Sequence, residues 1–220
     1  MLLLKVTVKQ KEDLSFRRSA GICLGQAPYI DPKLFIGRES ELDQMKEILK
    51  PCSKSREHRR LVLGGKGGIG KTQLVIAYAN RHRDDYKSVF WLNAASEATV
   101  KDSFRSMADR LFDVQEPGVL EGEQVVIHVH RWLSDQENTQ WLLIFDNYDD
   151  PGQFDIQKYY PFASHGAIVV TTRRPDLVAG REIRIEPLKN IEESLEILET
   201  RSQRKDAKTS EPSTTTSIVH

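Results

Sequence analysis

Two stretches carry residue types whose spacing can do chemistry on a phosphorylated ligand. The first is GKGGIGKT at 65–72, which fits the pattern G-x-x-x-x-G-K-[ST]. Its glycines, Gly65, Gly67, Gly68 and Gly70, let the backbone wrap closely and turn successive N–H groups toward phosphate oxygens. Lys66 and Ile69 complete the loop, and a helix opening at Lys71 would present its positive end to the same anion. Lys71 is expected to reach the β- and γ-phosphates and the Thr72 hydroxyl to ligate Mg2+, with Gln73 next to them in the binding segment.

The second stretch is WLLIFDNYDD at 141–150, an apolar run that ends in Asp146. Beside a phosphate loop, a carboxylate at the end of a strand is placed to hold the Mg2+ or one of its waters. Thr72 and Asp146 are therefore the candidate metal ligands. Asn147 comes next, and an amide orients water but does not accept its proton at neutral pH. Holding a nucleotide is thus expected over cleaving it quickly. Asp149 and Asp150 read as the start of a solvated loop, with the supply of the missing base as their alternative role.

A third stretch, AIVVTTRR at 167–174, reads as a strand ending in arginines. Guanidinium matches phosphate bidentately, so Arg173 could touch a γ-phosphate and tell a triphosphate from a diphosphate; Arg174 is the alternative. Lys71, Asp146 and Arg173 are the candidate catalytic set.

These groups need a scaffold that brings strand ends together, and the hydrophobic pattern supplies one. Short apolar runs at 61–63, 89–92, 142–145 and 167–171 read as buried strands, with a fifth at 182–185. Between them lie helical patterns at 71–82, 100–112 and 125–133, and a last short helix is expected from Asn190. Ahead of them, Ser40-Glu-Leu-Asp43 reads as a capping box that opens a helix bearing Leu42, Met45, Ile48 and Leu49, which Pro51 stops. Strands alternating with helices predict an α/β fold with a parallel sheet, and such sheets bind ligands at the carboxyl ends of their strands. Trp91, Trp132 and Trp141 each lie in an apolar run and read as core aromatics. His128 and His130 are two apart on a helix, so they point away from one another rather than toward one metal.

The chain of 220 residues has 39% apolar and 29% charged residues, and a formal net charge of zero. That composition suits a globular domain and provides no overall field for nucleic acid or acidic membranes. The basic cluster at 51–60 reads as a solvated loop. Cys23 and Cys52 make no disulfide framework, and Met1 to Leu4 is too short for a signal core or a membrane span. A cytoplasmic protein is the expectation, without nucleic-acid or membrane partners. Domain limits are expected at 1–27 for an ill-defined extension, 28–198 for the nucleotide-binding unit and 199–220 for a polar disordered tail.

No guanine-reading Asn-Lys-x-Asp occurs, and Asp149-x-x-Gly152 is only a weak match to another GTPase pattern. A transporter-type signature is also missing, and no acceptor site for a small-molecule kinase stands out. Taken in order, FIGRESEL at 35–42, GGKGGIGKT at 64–72, WLLIFDNYDD at 141–150, IVVTTRR at 168–174 and IEPL at 185–188 resemble the successive motifs of NB-ARC domains. These belong to the STAND class of signalling NTPases, found in plant disease-resistance proteins, apoptosome proteins and fungal NOD-like receptors; the resemblance is greatest to the fungal type. It implies a three-layer P-loop NTPase sandwich on a five-stranded parallel sheet of order 5-1-4-3-2. It further implies an ATP/ADP switch with Mg2+, with Ile36, Gly37 and Arg38 on the adenine and ribose side, and oligomerisation or NLR-type protein partners. Many family members carry a second acid where this chain has Asn147. The helical and winged-helix regions that follow the core in the family are not in this sequence, so a truncated core is expected. An active ATPase or kinase, and a scaffold that needs no nucleotide, are the alternative readings.

Overall fold

The computed structural model describes residues 21–23, 27–28, 35–50, 59–112 and 122–188. Its centre is a six-stranded parallel sheet. The strands are β1 (Gly21–Cys23), β2 (Arg59–Gly64), β3 (Ser88–Asn93), β4 (Trp141–Asp146), β5 (Ala167–Thr172) and β6 (Arg181–Arg184). Their order is β1-β3-β4-β5-β2-β6. The five expected strands thus stand in the expected 5-1-4-3-2 order. The sixth, β1, was not expected, and it pairs Gly21 with Ser88 and Cys23 with Phe90 along the free edge of β3.

Strands buried on both faces need apolar side chains in both directions, and β4 and β5 are buried along their whole lengths. Successive residues of β4 go to opposite sides: Leu142 and Ile144 join one core cluster, Leu143 and Phe145 the other. Helices α1 (Glu39–Leu49) and α2 (Lys71–Arg81) cover the first face with Leu42, Met45, Leu49, Leu74 and Val75. Helices α3 (Glu97–Leu111) and α4 (Glu123–Ser134) cover the second with Val100, Phe104, Val129 and Trp132. Trp141 is fully buried, and its indole N–H donates to the Leu133 carbonyl at 2.9 Å.

Two helix starts differ from the sequence reading. Ser40 does not cap α1; it lies inside the first turn and accepts a hydrogen bond from Gln44. The chain instead enters through Gly37 and Arg38, both at positive φ, which leaves Arg38 in the cap position. Helix α3 begins four residues after Asn93, with a reciprocal box in which Ser96 Oγ accepts the Thr99 N–H and Thr99 Oγ1 accepts the Ser96 N–H. His128 and His130 diverge as expected: His128 bonds to the Gln124 carbonyl within α4, and His130 to the Tyr159 carbonyl. The expected helix from Asn190, most of the 51–60 cluster and the 199–220 tail lie outside the described residues.

Candidate functional site

The site forms where β2, β5 and β4 end side by side. Because β5 lies between the other two, the loop after β2 and the acid after β4 meet across the end of β5. Phe145 stands opposite Val170, so the following pair, Asp146 and Thr171, are cross-strand neighbours.

The segment 65–70 wraps around the start of α2. Gly70 takes the cap position at φ 100°, a conformation a side chain would strain. No side chain caps the helix, so its first N–H groups face the loop as an anion site. The Lys71 ammonium curls into this loop, donating to the Gly65 carbonyl at 2.7 Å and the Lys66 carbonyl at 3.1 Å. Its side chain is largely withdrawn from solvent, and burial lowers its pKa, partly opposed by the carboxylates of Asp149 and Asp146.

Asp146 is 9% exposed and one of its oxygens is held twice. Thr72 Oγ1 donates to Oδ1 at 2.9 Å, and Thr171 Oγ1 donates to the same atom at 2.6 Å. Thr171 in turn accepts the Asn147 N–H at 2.8 Å. Burial raises the Asp146 pKa, and the two threonine hydroxyls and Lys71 work against that rise. Among the described residues Oδ2 has no hydrogen-bond partner. Since Thr72 spends its proton on Asp146, its oxygen lone pairs remain for a cation. No group of three or more His, Cys, Asp or Glu side chains placed to hold a metal ion by themselves occurs among the described residues. This donor set fits Mg2+, which keeps most of its waters and takes one or two protein ligands beside phosphate oxygens.

Asn147 sits at φ 70°, the left-handed region that Asn and Asp tolerate best among residues with a side chain. The turn it makes lets Asp149 reach across to β5. There Asp149 Oδ1 accepts the Arg173 N–H at 2.8 Å, and Oδ2 pairs with Arg173 Nε at 2.7 Å. The Arg173 guanidinium packs on the phosphate loop: a Cβ at Gly67 would fall 3.3 Å from its Cζ, so this position has little room for a side chain. Arg174 instead pairs with Asp176 at 3.6 Å and is absent from the residues that line the cleft described below. The expectation of a solvated Asp149 is thus corrected, whereas Asp150 is exposed and closes a local turn with Gly152 and Gln153.

A cleft of about 720 Å3 opens over these groups. It is lined by Gly67 to Gln73 and by Asn147, Asp149, Thr171 and Arg173. Pro28, Phe35, Ile36 and Leu188 add apolar side chains to its lining. Arg38 also lines it, but its guanidinium is tied down, bonding to Glu41 at 2.8 Å, to the Ile69 carbonyl at 3.1 Å and to the Glu186 carbonyl at 3.0 Å. Of the sequence-predicted site residues, Gly37, Gly65, Lys66 and Asp146 do not line the cleft. Gly65 and Lys66 hold Lys71, and Asp146 lies behind the two threonines. Sequence reasoning did not single out Thr171, Phe35, Pro28 or Leu188 as site residues. Thr171, Phe35 and Leu188 belong to stretches that carried the family resemblance, and Pro28 had no signal.

With this geometry in place, comparison with known proteins is informative. The family model for the NB-ARC domain matches residues 38–208. A nucleotide-binding leucine-rich repeat (NLR)-like protein of the fungus Hyaloscypha variabilis is 32% identical over 163 residues. That match covers 66% of this chain and 16% of the relative, so the chain spans only a small part of that protein's length. Among solved structures, Drosophila ORC bound to DNA aligns with a TM-score of 0.57 at 18% identity, covering 78% of this chain and 48% of that one. Cdc6p from Pyrobaculum aerophilum aligns with a TM-score of 0.53 at 16% identity, covering 79% of this chain and 54% of that one. At those identities the likeness is one of fold.

Proposed function

This chain belongs to the NB-ARC domain family, and from that premise we propose that it is a switch which holds an adenine nucleotide with Mg2+ and turns it over slowly. Its proposed setting is cytoplasmic signal transduction of the NOD-like-receptor kind, with self-association or a protein partner reading the nucleotide state. One observation carries the reading. Lys71, Thr72, Asp146 and Thr171 converge at the uncapped start of α2, beside a cleft that the apolar Pro28, Phe35, Ile36 and Leu188 also line.

Each residue has a chemical task in this reading. The α2 N–H groups and Lys71 take up phosphate oxygens, with the ammonium exchanging the Gly65 and Lys66 carbonyls for them. Thr72 and Asp146 hold the Mg2+, which when bound neutralises phosphate charge. Pro28, Phe35, Ile36 and Leu188 offer apolar side chains to the base. Slow turnover follows from the side chains near the phosphates: Asn147 cannot take a proton from water, and Asp149 is occupied by Arg173.

Thermal unfolding with and without Mg-ADP tests the proposal. Ligand at about 1,000 times its dissociation constant adds about 4 kcal/mol to stability. A folded sample that shows no shift at millimolar Mg-ADP or Mg-ATP would refute it.

A further inference from the structure

The role of Asp149 goes beyond the reading above and rests on it. We infer that Asp149 is a positioning residue: it aims the Arg173 guanidinium at the place of the third phosphate, and so sets the preference for triphosphate over diphosphate.

The argument begins with the arginine. The Arg173 side chain is 61% exposed, and beyond its contact with Gly67 a long flexible chain at that exposure needs a polar anchor to fix its rotamer. Asp149, at 22% exposure, supplies two points of attachment instead. One carboxylate oxygen takes the backbone N–H of Arg173 and the other takes Nε. Attachment through Nε holds the plane of the guanidinium while leaving both terminal nitrogens to bind elsewhere. No hydrogen bond takes up those nitrogens among the described residues. The group lies against Gly67, over the loop that would carry the phosphates. A guanidinium bound at Nε and open at its fork is preset for bidentate contact with a phosphate.

The anchor is itself held. The Asp149 N–H donates to the Asn147 carbonyl at 2.9 Å, and the Tyr148 N–H donates to the Thr171 carbonyl at 2.9 Å. The turn after β4 is therefore stitched to the end of β5, the strand from which Arg173 emerges. Asp149 also brings negative charge near the phosphates, and that charge alone would disfavour the triphosphate more than the diphosphate. Positioning and plain repulsion thus predict opposite signs when the carboxylate is removed.

The test measures dissociation constants for Mg-ADP and Mg-ATPγS by calorimetry in the wild type, D149A, D149N, R173A and the D149A/R173A double variant. The ratio of the two constants is the readout. Positioning predicts that D149A lowers the preference for Mg-ATPγS about tenfold, the scale of one charge-assisted hydrogen bond. D149N, which keeps an acceptor for Nε, should fall between D149A and the wild type. In the R173A background the same D149A change should no longer lower the ratio. An unchanged or raised ratio in D149A, or an equal drop with and without Arg173, overturns the inference while leaving nucleotide binding standing. A wild type that binds neither nucleotide overturns the proposed function and this inference with it.

Discussion

Thr171 and Asp146 are bonded hydroxyl to carboxylate across neighbouring strands at 2.6 Å, and the same hydroxyl accepts the Asn147 N–H at 2.8 Å. One side chain of β5 thereby fixes both the candidate metal acid and the turn that follows it. Thr171→Val keeps the shape but leaves that N–H without its acceptor and Asp146 with one donor fewer. The expected loss is about 1–3 kcal/mol in urea unfolding, with Thr171→Ser close to the wild type. Equal stability of the valine and serine variants would show that the bond contributes little.

Removing the Lys71 ammonium should separate ligand binding from folding. Lys71→Ala is expected to remove nearly all of the stabilisation by Mg-ADP, about 4 kcal/mol at saturating ligand, while the nucleotide-free protein melts close to the wild type. Its stability is expected to hold because burial already disfavours the charged amine in the fold. The check is a melting curve of each protein with and without ligand.

The raised pKa of Asp146 sets a direction for pH dependence. Its folded pKa lies above its unfolded one, so the folded state takes up the proton first as pH falls. Relative to neutral pH, this group therefore favours the nucleotide-free fold increasingly as pH drops through the folded value and then the unfolded one. Metal binding needs the ionised form, so the Mg2+-dependent part of nucleotide affinity should fall as pH drops through the folded value. Calorimetric titration across that window, with and without Mg2+, reads it. In Asp146→Asn that Mg2+-dependent part should be absent at every pH.

Asn147 occupies a left-handed position that aspartate also tolerates. Asn147→Asp should fold normally and raise ATP hydrolysis on the order of 100-fold, the lower range for adding a general base. Phosphate release measured under single-turnover conditions is the readout. An unchanged rate would mean that a proton acceptor at this position is not what limits turnover.

The phosphate loop was legible because its chemistry is local: glycine spacing, a lysine and a hydroxyl within eight consecutive residues. The five main strands were legible from apolar runs, and their order through the family resemblance. The Thr171 relay was less so, because it exists only once β5 is inserted between β2 and β4. Strand β1 is three residues long and is defined by its pairing with β3, which no local pattern announces. Ser40 misled because a capping box needs the chain to enter in an extended conformation, whereas Gly37 and Arg38 enter at positive φ. Asp149 looked like solvent-facing acid because its partner lies 24 residues further along the chain.

The guanidinium of Arg38 works as a three-way pin. It joins the first turn of α1, the crest of the phosphate loop at Ile69 and the point where the chain leaves β6 at Glu186. The crest cannot lift without loosening the pin from at least one of the other two. A shift of the crest would therefore pull on Glu186, where the chain turns out of the sheet, and the neighbouring Ile185 N–H already bonds to the Gly64 carbonyl at 2.7 Å.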